Sequence, residues 1–189
     1  LQTGDREGGK ADLRDALTAA AGYSPAAALL FDAHLSDEEF REARSVLAVL
    51  QEHLAGPEVA VKQLQLAAKT NDLEGAIRAF AEVCEGPGQG PFPIQAGLSE
   101  MRAAGWEERA HRVLRESWQN GGPFHPWAPI FWIDSADGAD ADPGERIRAA
   151  DAVIRAYPRF VPGHDSKAEQ LAAAGRFDEA LTACHPPEL

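Results

Sequence analysis

Gly163-His164-Asp165-Ser166 sets an imidazole, a carboxylate and a hydroxyl side by side, the three groups a nucleophilic hydrolase uses. Neighbours in sequence seldom converge on one reacting atom, and no glycine elbow frames the serine. Asp165 or Ser166 is expected instead to cap a helix start. The remaining histidines are His34, His53, His111, His125 and His185. None forms a helical pair with zinc-ligand spacing, and the His-Glu-x-x-His pattern is absent. Cys84 and Cys184 each follow an apolar helical stretch without metal-ligating neighbours, so both are expected as buried, small apolar residues. The glycine-rich stretch from Gly86 to Pro91 has prolines where a phosphate-cradling helix start would be needed. The acidic runs at 37–39 and 107–108 suit helix starts, where the macrodipole favours negative charge. The expectation is no catalytic residue, no metal, no cofactor, and a protein that is not an enzyme.

Composition bounds the partners. Thirty acidic residues against 18 basic ones give a net charge of −12. That field repels phosphate backbones, so nucleic acid is excluded as a partner, while a cationic peptide or protein would be tolerated or steered. The same charge also serves solubility. No apolar run is long enough to span a bilayer, so no membrane association is expected. Two cysteines build no disulfide framework, which fits a reducing, cytoplasmic setting. The opening Leu1–Asp12 stretch reads as a linker or a processed end, so the chain is expected to be a piece of a longer protein; residues 1–10 form its flexible segment.

The elements that must carry these side chains are helical. Alanine is abundant and long stretches lack β-branched residues, which favours closely packed helices over sheet. A six-residue pattern recurs: a turn-forming residue, an apolar or aromatic residue two positions on, and an alanine three further. It reads Glu38, Phe40, Ala43; then Asn71, Leu73, Ala76; then Glu145, Ile147, Ala150; and Gly175, Phe177, Ala180. Gly105 and Ala110 make a fifth copy with the aromatic, Trp106, one position early. The alanines are separated by 33, 34, 40 and 30 residues. About a dozen residues with helical apolar periodicity flank each copy, and Pro57, Pro91 and Pro158 fall between copies. The pattern predicts helix, tight turn, helix. The turn residue accepts a left-handed backbone, the residue two on enters the seam between the paired helices, and the alanine sits where their backbones approach.

A period near 34, a glycine-type turn, an aromatic after it, an alanine three later and a proline between units resemble the tetratricopeptide repeat. The resemblance covers residues 24–189. It lacks the aromatic-leucine-glycine signature usual in that family's first helix. It implies an all-α fold, an α-solenoid of about five antiparallel helix-turn-helix hairpins in a right-handed superhelical stack. The units are 24–56, 57–90, 91–122, 123–158 and 159–189, within a repeat domain of residues 11–189 opened by an extra helix at Ala11–Ala21. It further implies a non-catalytic scaffold that binds a protein or peptide along the concave face made by each pair's first helix. On this sequence that face would draw on Gln65, Lys69, Gln95, Ser99, Arg102, Trp127, Phe131, Asp165 and Glu169.

The long 40-residue step contains Phe124, Trp127, Phe131, Trp132 and Ile133, the densest aromatic cluster, followed by a turn-rich acidic loop from Ser135 to Gly144. These aromatics fill a widened gap between hairpins, or Trp127 or Trp132 opens onto the groove as a binding anchor; the two readings can hold together, because opposite faces of one helix meet different surroundings. Two alternative functions stay open: a regulatory or substrate-recruiting domain of a larger multidomain enzyme, and a self-associating module. The second would form a homo-oligomer through this cluster and the uncapped C-terminal hairpin, whose last helix breaks after Cys184.

Overall fold

The computed structural model describes residues 6–20, 23–54, 56–86, 88 and 90–185, and only the backbone of residues 136–137. Residues 1–5 of the expected flexible segment, Ala21, and the tail 186–189 lie outside the described residues. Those described form twelve helices and no strand. The helices are α1 (Arg6–Ala19), α2 (Ser24–Ser36), α3 (Phe40–His53), α4 (Pro57–Lys69), α5 (Leu73–Glu85) and α6 (Phe92–Ala103). They continue as α7 (Glu107–Gln119), α8 (Trp127–Ile133), α9 (Ala136–Asp140), α10 (Pro143–Ala156), α11 (Val161–Ala173) and α12 (Phe177–Ala183). Prolines stand in the first turn of α2, α4, α6, α10 and α11, where the missing N–H costs nothing.

One turn recurs four times. Glu38, Asn71, Gly105 and Gly175 take left-handed backbones with φ of 60°, 56°, 77° and 75°. In each case their amide donates to the carbonyl three residues back: Leu35, Ala68, Arg102 and Ala172. The next amide donates to the carbonyl five back: His34, Ala67, Met101 and Leu171. These two bonds close α2, α4, α6 and α11 with the Schellman pattern, which satisfies the last carbonyls and turns the chain. Five residues beyond each left-handed residue comes a buried alanine: Ala43, Ala76 and Ala110 at 0 % exposure, Ala180 at 7 %. The helices joined by these turns pack on one another, and α4 also meets α6, while α5 meets α7.

Between α8 and α10 the rule is broken. No left-handed residue occurs there among the described residues. The expected acidic loop is instead a one-turn helix, α9, whose Gly138 N–H is capped by the Ser135 hydroxyl at 3.1 Å. Glu145, expected as a turn residue, lies in the first turn of α10, which Asp142 caps. Its carboxylate takes the Arg115 guanidinium at 2.7–2.9 Å and the Gln119 amide at 2.9 Å, tying α10 to α7. The chain uses Glu145 as an ion-pair partner because Asp142 and Pro143 have already started the helix. Ile147 and Ala150, two and five residues on, are nonetheless buried.

The main core runs through α4 to α10, with Leu64, Phe80, Ile94, Met101, Leu114 and Trp132 all fully buried. Gly97 in α6 lies against Phe80; a Cβ there would come within 2.6 Å of the ring. A separate cluster around Leu30, Phe31, Leu47 and Leu50 joins α2 and α3, with Leu13 and Leu17 of α1 packed against it.

Three expectations fail for reasons of packing. Helix α1 starts at Arg6, within the segment expected to be flexible, because Lys10 is sequestered by carboxylates flanking the α2–α3 turn. Its ammonium lies 2.6 Å from Asp37 and 2.7 Å from Glu39, at 2 % exposure. The Lys10 contacts hold both carboxyls below their ordinary range, His34 adding to the effect on Glu39, and the carboxylates push the lysine upward. Phe177 is 70 % exposed rather than in a seam: α12 is only seven residues long and no described helix packs beyond it. Cys184, just past α12, is exposed for the same reason, whereas Cys84 is buried and its thiol is pushed far up by desolvation.

Candidate functional site

The histidines do not assemble. His164 sits in α11, where Nε2 bonds the Pro158 carbonyl at 2.8 Å. Asp165 and Ser166 follow on the same helix, each turned about 100° from the last, so the three groups diverge. Neither caps a helix: α11 begins at Val161 without a side-chain cap. His34 bonds Glu39 at 2.5 Å. Among the described residues no three His, Cys, Asp or Glu side chains are grouped to hold a metal ion, and no helix is long and apolar enough to cross a membrane.

The residues expected on a concave face lie on α4, α6, α8 and α11. Lys69, Gln95, Ser99, Arg102, Asp165 and Glu169 are exposed, while Gln65, Trp127 and Phe131 are half-buried. The Gln65 amide reaches Glu100 at 3.2 Å, which links α4 to α6 along this row. Arg102 is held by Glu107 at 2.8 Å, and its charge keeps that carboxyl below the usual range. The row is polar and solvated through α4 and α6 and turns aromatic at α8.

The aromatic cluster divides. Trp132 is fully buried, tilted against Trp118 at 5.4 Å with the Arg115 guanidinium over its ring, so it fills the gap and is not a groove anchor. Ile130 and Ile133 are buried with it. Trp127 faces Phe131 at 6.0 Å and meets Phe160 edge-on at 5.3 Å. Phe124 packs edge-on to Tyr157, whose hydroxyl donates to the Phe124 carbonyl.

Sequence reasoning passed over what lies between these rings. The loops entering α6, α8 and α11 meet around a groove of about 730 Å³ lined by Gly88, Pro126, Tyr157, Pro158, Arg159 and Phe160. Beside it His125 is fully buried. Its backbone N–H donates to the Cys84 carbonyl at 2.6 Å, and its Nδ1 accepts the Trp127 backbone N–H at 3.3 Å. Burial lowers the affinity of this imidazole for a second proton, and with Nδ1 accepting from Trp127, Nε2 is the nitrogen left to donate. That donor has no partner, and neither do the buried indole N–H groups of Trp118 and Trp127. A signal was present in Phe124-His125-Pro126-Trp127: a histidine between a proline and aromatics on a helix approach is held rigidly.

No family model, no curated protein and no solved structure matches this chain.

Proposed function

We propose that the chain is a non-catalytic scaffold that binds a protein or peptide along the face of α4, α6, α8 and α11. In this reading it is a tetratricopeptide-like array of about five antiparallel hairpins in a right-handed superhelical stack. The observation that carries the reading is the turn made four times with the same two hydrogen bonds and the same buried alanine five residues later. Units built alike stack alike, because each hairpin has one apolar face left to cover. The contact order agrees: α4 meets α6, α6 meets α8 and α8 meets α11, leaving one row of first helices. The exposed side chains of that row belong to no internal network apart from Arg102, which leaves them open to a ligand. The acid surplus would steer a cationic partner.

The test is site-specific photo-crosslinking in extract from the source cells, with the probe at Ser99 on α6 or at Arg112 on the second-helix side. Both positions are exposed. A discrete adduct from Ser99, absent from Arg112 and competed by unlabelled protein, is the expected result. Equal adducts from both, or none from Ser99, would reject the face.

A second reading has its own observation. Phe177 and Leu181, one helical turn apart on α12, are 70 % and 64 % exposed. They support self-association through the last helix, which sedimentation equilibrium of the wild type against Leu181→Glu would detect as a concentration-dependent mass lost in the variant.

A further inference from the structure

We propose that the cleft between α3 and α5 binds a free amino acid with an aliphatic side chain, held by both of its charged ends. The cleft comes from a gap in the stacking. α5 packs on α7, but α3 and α5 do not pack on each other in that way, and one face of α4 forms the floor between them. The space left is about 220 Å³. A cavity of about 150 Å³ holds benzene, so this one has room for a body of that size with a few polar atoms added. Its apolar part is buried: Leu47 from α3, Leu66 and Ala67 from α4, and Ala79 from α5.

Four charged side chains line the same space. Arg44 stands on α3 and Arg78 on α5, while Asp72 and Glu82 belong to the α5 side. Among the described residues none of the four forms an ion pair. The one bond that any of these side chains makes is Asp72 Oδ1 accepting the Gly75 N–H at 2.9 Å. Elsewhere unlike charges on neighbouring helices do meet: Asp32 with Lys62, Arg115 with Glu145, and Asp151 with Lys167. The cleft therefore differs from the other helix contacts in holding two guanidiniums and two carboxylates that do not satisfy one another.

Balanced charge selects the occupant. A bare anion or a bare cation would meet as many repulsive groups as attractive ones. A molecule with one anionic end, one cationic end and an apolar body meets only complementary ones, and an aliphatic amino acid is the smallest that carries all three. Its carboxylate suits the planar guanidinium forks of Arg44 and Arg78. Its ammonium pairs with Glu82 and the free oxygen of Asp72, and its side chain lies on the leucine and alanine floor. A carboxylate held between Arg44 and Arg78 also ties α3 to α5, across the border between the α2–α3 cluster and the main core.

The cleft shares no residue with the concave-face row, so it stands or falls separately from the scaffold reading. The probe is L-leucine, titrated into the full chain by calorimetry and by ¹H–¹⁵N spectra that resolve the arginine Nε–H groups. L-leucinamide removes the negative end and 4-methylpentanoate removes the positive one. Saturable binding of leucine is expected, at least about tenfold weaker for either one-ended analogue, with the Arg44 and Arg78 resonances moving. Arg78→Gln should weaken leucine at least about tenfold and abolish what binding 4-methylpentanoate retains. Glu82→Gln should weaken leucine to a similar degree without weakening 4-methylpentanoate, a split that a merely structural role would not produce. Both side chains are exposed, so neither variant endangers the fold. Ser99→Arg on the concave face should leave the affinity unchanged. No saturation at tens of millimolar leucine, equal binding of either analogue, or an affinity unmoved by both variants would each overturn the proposal. Tighter binding of leucyl-leucine would also overturn it, by making the occupant a peptide, and loss of binding in Ser99→Arg would do so by placing leucine on the other face.

Discussion

The α4–α5 pair and the α8–α10 segment solve the same problem with different chemistry. In α4–α5 three residues make the turn. Asn71 takes the left-handed backbone, and Asp72 caps α5 by accepting the Gly75 N–H at 2.9 Å. The helices then close on a small residue, Ala76, at 0 % exposure. In α8–α10 the left-handed residue is missing, α8 has only seven residues, and α9 intervenes. The helices no longer close on small residues alone, and indole and phenyl rings occupy the added space. Local hydrogen bonding completes the first region. The second is completed by volume, and it leaves polar N–H groups unpaired. A repeated turn fixes backbone geometry cheaply; a widened one hands the task to large side chains, whose polar edges then need partners.

The sharpest way to break this comparison is to empty the wide region. Trp132→Ala should cost about 3–5 kcal/mol, since the full indole volume is lost from a site that does not collapse. Urea denaturation followed by circular dichroism measures it, and a cost below about 1 kcal/mol would mean that α8 is not held by packing. Gly97→Ala probes a close approach in the regular region. Alanine is the better helix former by about 1 kcal/mol, yet its methyl would press on Phe80, and overpacking costs about 1–3 kcal/mol. Net destabilisation is expected in the same assay; a gain would show that Phe80 can yield.

Gly105→Ala and Gly175→Ala sharpen the comparison at the turns themselves. Each should cost about 1–2 kcal/mol because the left-handed backbone crowds a Cβ, whereas Asn71→Gly should be near neutral. Gly122→Ala, in the link to α8 with open space around it and no left-handed backbone, should change little. Equal effects at all four positions would mean that the turn geometry is not what stabilises the pairs.

The smallest effect concerns α1. Asp37 and Glu39 have carboxyls lowered by Lys10, so their contribution to α1 docking is present above their ordinary values of 3.8 and 4.5. It is lost as the pH falls through the depressed values. Lys10 is raised, so its contribution holds below 10.5 and fades at higher pH. Exchange protection of the α1 amides should therefore drop below about pH 4 while α4 and α5 remain protected. Loss of both together would tie α1 to the main core.

What the sequence revealed follows the same division. Asn71, Gly105 and Gly175 were legible because a left-handed backbone narrows the residue choice, and the alanines because close approach permits little else; Glu38, a residue type that conformation does not favour, was legible only through its register with Phe40 and Ala43. α9 was not legible, since Ser135 and Asp142 can cap a helix or close a loop equally well. The exposure of Phe177 and the burial of Trp132 depend on what lies across from them, which no local pattern encodes. Lys10 looked like part of a charged linker because its carboxylate partners lie about thirty residues away. The groove beside His125 went unseen because three separate loops build it.

The left-handed residues at 38, 71 and 105 are followed by one at 175, a double step of 70 that two periods of 35 would also give. Yet the alanine between them, Ala150, stands five residues late, the length of α9. The extra turn of chain is absorbed before α11 begins, so nothing downstream inherits the offset. In terms of chain length rather than shape, the stretch between α8 and α10 is where this molecule takes up residues without passing a change of register to its neighbours, and the place where an inserted tag or domain would disturb the remaining pairs least.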